Sequence, residues 1–206
     1  MTAPLPRIGH AITTLGGMAD DFMLTILELK ARDSANQTLP FLHGHALELS
    51  AKCAILQLEQ SLDPDKLGHK IQKIYAKIAV CCPEFGCLLP KPNSYARYRS
   101  IWVRDGIPNQ IIELPPPDLL DEYELCFFIE NIVNLKYGLD KNMELLSPIH
   151  ISHKSINSKF LNLFAGTRKI YATPDLNQRA MNRGEALFGS NQATASRLHA
   201  YFGVNS

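Results

Sequence analysis

The chain has 206 residues, 46% of them hydrophobic and 20% charged, with a formal net charge of +1. That is long enough for one well-buried core and ordinary for a soluble globular protein. No apolar run approaches the ~20 residues that cross a bilayer as a helix, and Met1-Thr-Ala-Pro-Leu-Pro-Arg7 lacks the charged-then-apolar order of a signal peptide. A membrane-spanning helix is therefore not expected, and the cytoplasm is the expected location. The five cysteines (Cys53, Cys81, Cys82, Cys87, Cys126) are an odd number in mostly apolar surroundings. They read as reduced thiols, and Cys81-Cys82-Pro-Glu-Phe-Gly-Cys87 lacks the paired spacing of a zinc site. Neither a metal nor a cofactor is expected.

Charge is unevenly spread. Residues 151–206 hold seven Lys/Arg against two Asp/Glu, a local net of +5, while the first 150 hold fourteen against eighteen, a net of −4. An anionic partner for the C-terminal part and a solvated tail both fit that asymmetry. The expected organisation is a helical bundle over residues 1–150 and a basic extension over 151–206, either packed on the bundle or partly mobile.

In chain order, residues 1–17 show no clear period, and Gly9, Gly16 and Gly17 weaken any early helix. From Met18 the spacing of Phe22, Met23, Ile26, Leu27 and Leu29 predicts a helix over about 18–32. Asn36 to Pro40 makes a turn, and a second helix is expected from Pro40 to about Ser61. At 100° per residue, His45, Glu48 and Lys52 share one stripe of it. Leu42, Leu49, Cys53 and Leu56 border the stripe on one side; Leu47, Ala51, Ile55 and Leu58 border it on the other. A surface helix rarely carries charge between two apolar flanks. The plainer explanation is a half-buried Glu48–Lys52 pair at i, i+4 with His45 beside it. The alternative is a polar pocket facing a partner helix or a ligand.

Asp63-Pro-Asp65 is expected to cap a third helix over about 65–81. Its core face is Leu67, Ile71, Ile74 and Ile78, and its other face carries Lys66, Lys70, Lys73 and Lys77. Such a stripe of lysines either lies along a phosphate backbone or is simply a solvated face. His69, near the helix start, is placed to hydrogen-bond back to the second helix. Further on, Lys91 to Arg104 interleaves basic and aromatic residues, with Arg97, Arg99, Trp102 and Arg104 as candidate phosphate and base contacts. The same stretch reads as the first arm of a small β-hairpin near 99–114. After Pro115-Pro-Pro117, Leu125, Phe128, Ile132 and Leu135 mark a strong helix from about Asp118 to Gly138. His150 and His153 have no third partner for a metal. Short helices are expected around 155–165, 176–188 and 191–202.

Gly44-His-Ala-Leu-Glu-Leu-Ser-Ala-Lys52, followed by Gly68-His-Lys-Ile-Gln-Lys-Ile-Tyr75, resembles the HEPN superfamily of small helical domains. In many members a Gly-x-x-Leu-Glu-Leu-x-Leu-Lys helix precedes a Gly-His-Asp-Leu helix start, and Leu135-Lys-Tyr137 is similar to a later Arg-Tyr element. Lys70 stands where Asp is usual and Lys136 where Arg is common. The resemblance covers residues 18–138. It implies a mainly α, antiparallel helical bundle, frequently a homodimer, in proteins that cut RNA in defence or toxin–antitoxin systems or bind RNA or nucleotides without catalysis. The family's nuclease motif is Arg followed after four to six residues by His, and none of the seven histidines here has Arg at that spacing. The expectation is therefore a non-catalytic binder of RNA or a nucleotide, with a possible cognate protein partner. A divergent RNase built on His45, Glu48, Lys52 and His69 is one alternative; a structural dimerisation module is the other.

Overall fold

The computed structural model describes residues 5–31, 39–91, 119–135 and 157–202. They form a mainly α bundle of seven helices: α1 (Leu5–Ala31), α2 (Leu39–Leu58), α3 (Ile71–Cys81), α4 (Leu120–Leu135), α5 (Ser158–Tyr171), α6 (Pro174–Phe188) and α7 (Gln192–Phe202), with 3₁₀ turns at Pro64–Lys66 and Pro83–Leu88. No strand occurs among the described residues. The expected hairpin near 99–114 lies outside them, as do Lys136, Tyr137, His150 and His153.

Helix α2 is the centre of the bundle. It packs against α1, α3, α4 and α5, which explains why its apolar residues run around most of its circumference: Leu39, Leu42, Ala46, Leu47, Leu49, Ala51 and Cys53 to Leu56 are all buried. Helices α1 and α2 are antiparallel. Cys53 donates its thiol to the Ile12 carbonyl at 3.5 Å, and Phe22 stacks on His45 further along. Helix α5 lies along α2 in the same sense, with His43 against Phe160 and Ser50 against Tyr171.

The first helix begins at Leu5, well before the expected start at residue 18. Ile8 and Ile12 are buried, and their burial offsets the ~1 kcal/mol that each helical glycine costs relative to alanine. Gly16 also has a packing role. A Cβ there would stand 2.9 Å from Cε2 of Tyr171 and 3.3 Å from Cδ1 of Leu176, so the missing side chain lets α5 and α6 approach α1. Gly16 marks a helix contact, not a helix break.

The third helix is shorter than its hydrophobic pattern suggested. Pro64–Lys66 forms a 3₁₀ turn, and Gly68 takes a φ of +57°, a left-handed conformation suited to glycine. The α-helix starts only at Ile71, with Lys70 as its N-cap. Ile71, Ile74, Tyr75 and Ile78 are its buried face. Residues 59–70 therefore double back along α2 before α3 begins.

The C-terminal segment contributes helices to the same core. Phe160, Leu163, Phe164, Tyr171, Leu176, Leu198 and Phe202 are all buried in it. Asn157 caps α5, its side chain accepting from the Phe160 N–H at 2.8 Å while its amide donates to the Asp121 carbonyl at 2.7 Å on α4. Thr173 caps α6, with Pro174 in the first turn, so α6 starts two residues earlier than its pattern implied.

Candidate functional site

The polar stripe of α2 and the start of α3 meet at one carboxylate. Glu48 sits ten residues inside α2, about 15 Å from its C-terminal end, and is only 2% exposed. Its Oε1 accepts a hydrogen bond from Lys52 Nζ at 2.6 Å and another from His69 Nδ1, also at 2.6 Å. The first is the i, i+4 pair read from the spacing. The second spans 21 positions of sequence and depends on the chain doubling back after α2. His45 completes the stripe, with Nδ1 3.8 Å from Glu48 Oε2. Its ring stacks on Phe22 (centroids 5.6 Å apart) and meets Phe41 edge-on (4.3 Å). Glu48 Oε2 is buried and accepts no hydrogen bond from the described residues.

Two opposed effects act on this carboxyl. Burial pushes Glu48 up, but the hydrogen bond and positive charge of Lys52, with the hydrogen bond from His69, outweigh it and hold the group below the usual carboxylate range. Glu48 is therefore an anion at neutral pH, a carboxylate that can only accept. His69 must accordingly donate through Nδ1, which leaves Nε2 on the outer side of a ring that is 47% exposed. Lys52, 14% exposed, spends one of its three N–H donors on Glu48, and the other two have no partner among the described residues. The arrangement is an ammonium and an imidazole oriented by one buried anion at the edge of the bundle.

The lysines around it divide into two pairs. Lys77 is held by Glu59, and Lys66 lies 3.9 Å from Asp63 Oδ2. Lys70 and Lys73 are exposed with no ion-pair partner among the described residues. The expected four-lysine stripe of one helix is thus corrected. Lys66 belongs to the 3₁₀ turn and Lys70 caps α3, so only Lys73 and Lys77 stand on the helix itself, and acids from the preceding segment partner two of the four. Arg97, Arg99, Trp102 and Arg104 lie outside the described residues.

Two buried polar groups were not legible as sites. Arg168 on α5 is 1% exposed and grips Asp20 on α1 with two hydrogen bonds, Nε to Oδ1 at 2.8 Å and Nη2 to Oδ2 at 3.0 Å. Its Nη1 donates to Asn177 of α6 and to the Phe202 carbonyl of α7. One guanidinium therefore joins four helices. Burial lifts the Asp20 carboxyl above its ordinary range, against the downward pull of Arg168. His43 on α2 is fully buried, stacked on Phe128 (4.8 Å) and edge-on to Phe160 (4.4 Å). Its Nδ1 donates to the Leu39 carbonyl at 2.7 Å, while Nε2 has no partner among the described residues. Burial and the nearby Lys30 charge lower its pKa to about 3, so it is neutral through the physiological range.

Among the described residues no group of three or more His, Cys, Asp and Glu is set to hold a metal, and no helix is long and apolar enough to cross a membrane. All five cysteines are free thiols, Cys53 and Cys126 in the core. Comparisons of the chain with protein-family models, with curated proteins and with solved structures match none of them.

Proposed function

We propose that this bundle is a HEPN-like module that binds RNA or a nucleotide through phosphate, without catalysis, as a homodimer in a defence or toxin–antitoxin setting. The observation that carries the binding reading is the Glu48 carboxylate, which holds Lys52 and His69 at 2.6 Å each on the rim of the bundle. Lys70 and Lys73, both exposed, extend positive charge from that rim along the start of α3. A phosphate offered there meets donors whose orientation is already set, which lowers the entropy cost of binding. The dimer and the biological setting rest on the family resemblance alone.

The test is binding of a short single-stranded RNA and of a mononucleotide over a series of salt concentrations, together with solution mass and the ultraviolet absorbance ratio of the purified protein. Affinity is expected to fall steeply with salt. Salt-insensitive binding, or none, removes the reading, and a monomeric mass removes the dimer.

A second reading is favoured by the same geometry. A histidine whose Nδ1–H is held by a buried carboxylate presents Nε2 as a general base. With Lys52 beside it, that base suits a divergent RNase. His69 takes the proton of the substrate's own 2′-hydroxyl, whose oxygen attacks the adjacent phosphorus. The P–O5′ bond breaks, and the leaving 5′-oxygen takes a proton from the Lys52 ammonium or from water. Incubation with mixed RNA decides it: cleavage that is lost in His69→Ala supports the RNase, and intact RNA rejects it.

A further inference from the structure

We infer that Lys52 and His69 form a phosphate-oxygen site in which His69 binds only as the imidazolium, so that ligand capture takes up a proton. The inference rests on the binding reading above and adds to it the chemistry of the site and its dependence on pH.

The geometry sets the requirement. His69 Nδ1–H is committed to Glu48 Oε1 at 2.6 Å. A neutral imidazole has one N–H, so while the ring is neutral Nε2 carries a lone pair. A phosphate oxygen also brings lone pairs, and the two repel unless a proton is placed between them. With the proton added, the ring donates to Glu48 on one side and to the ligand on the other. Lys52 supplies a second donor with no change of protonation, because its ammonium has N–H groups beyond the one given to Glu48. Both hydrogen bonds to the ligand are then charge-assisted, the stronger class.

The charge balance points the same way. The Glu48 and Lys52 charges cancel, and His69 adds nothing to attract an anion while its ring is neutral. Among the described side chains, the other charged or titratable groups on the polar stripe of α2 and on the stretch of chain that carries His69 are His45, Asp63, Lys66, Lys70 and Lys73. Lys66 is offset by Asp63. Lys70 and Lys73 draw an anion to the surface, but neither is oriented by a buried partner. Protonation of His69 is the step that makes the oriented pair net positive. The ligand class is a phosphate group, either a phosphomonoester of a free or terminal nucleotide or a backbone phosphodiester of RNA.

The experiment is calorimetric titration of the full chain at low salt with three probes: inorganic phosphate, adenosine 5′-monophosphate and a short RNA without terminal phosphates. Each titration is run in two buffers of different ionisation enthalpy, at about pH 6 and about pH 8. In the range where free His69 is neutral, uptake of about one proton per site is expected, with affinity rising about tenfold for each pH unit lowered. Because a phosphomonoester itself takes up protons in this range, His69→Gln supplies the comparison: it keeps an N–H donor and titrates nowhere near it. The variant is expected to take up about one proton per site less than the wild type with every probe that binds, which for the RNA without terminal phosphates means no uptake. Binding of RNA alone assigns the phosphodiester, and binding of the first two probes alone assigns the phosphomonoester. Wild-type binding without uptake, or uptake unchanged in His69→Gln, overturns the proton coupling and leaves the binding reading in place. No binding of any probe at either pH overturns both.

Discussion

Asp20 and Glu48 are two nearly fully buried carboxylates in adjacent helices, each held by a cation, yet they have opposite surroundings. Asp20 faces Arg168, which is 1% exposed, and the pair is sealed among α1, α5, α6 and α7. Glu48 faces Lys52 and His69, whose side chains are 14% and 47% exposed. Burial dominates the first and lifts its carboxyl; the Lys52 ammonium and two hydrogen-bond donors near solvent dominate the second and lower its carboxyl. A carboxylate enclosed with a bidentate guanidinium serves as a joint between helices. One enclosed on its own side but open through its partners orients groups that a ligand can still reach.

The difference is sharpest in stability. Arg168→Met is expected to destabilise the fold by about 3–5 kcal/mol, because it leaves the Asp20 carboxylate buried and unpaired. Arg168→Met combined with Asp20→Leu is expected to recover a large part of that loss, since apolar replacement of both partners removes the stranded charge. Denaturant midpoints of the three proteins measure this, and a double variant no better than the single would show that the loss is not due to an unpaired charge.

Next comes acid. His43 has a lowered folded-state pKa, about 3 against 6.5 for the free group, so the unfolded chain binds more protons between these values. Stability should therefore rise with pH across that window, by at most about 1.4 kcal/mol per pH unit. Glu48, whose folded pKa is lowered, contributes stability that is present above its ordinary value of 4.5 and is lost as pH falls through the folded value. Urea unfolding at a series of pH values checks both, and His43→Phe is expected to flatten the upper part of the curve. An unchanged slope in that variant would remove His43 as its cause.

Glu48→Gln is expected to cost less than the Arg168 change, about 1–3 kcal/mol, because Lys52 and His69 can turn to water once released. It should nonetheless weaken phosphate binding at pH 6 by more than Lys73→Ala does, since it removes the orientation of two donors. The smallest effect on stability belongs to the surface. Lys70→Ala and Lys73→Ala should each leave the unfolding midpoint within about 0.5 kcal/mol of the parent. Each should also reduce the salt slope of RNA binding by about 1. A slope that does not change would place the RNA elsewhere on the molecule.

Most of this contrast was half visible beforehand. Glu48 and Lys52 share a helix face, so their pairing follows from the 3.6-residue period, and the apolar flanks of the stripe announced its burial. The His69 contact was placed as a return to α2, although the helix expected to carry it starts later, at Ile71. The Asp20–Arg168 pair had no local signal: its members are 148 positions apart, and each stands in an unremarkable helical pattern. The glycines near residue 17 were read as breakers because propensity speaks only of a helix alone. In the fold, Gly16 is the place where Tyr171 presses against α1.

What the amino-acid sequence by itself determined is the helical class, the central position of α2 and the local Glu48–Lys52 pair, because periodicity and i, i+4 spacing act within a single element. The tertiary structure alone decided that His69 reaches the same carboxylate, that acids from the preceding segment partner two of four lysines, and that Arg168 closes the bundle on Asp20. The His69 and Arg168 contacts join separate elements, and the burial of Glu48 and Asp20, by removing water as a competing partner, is what strengthens them.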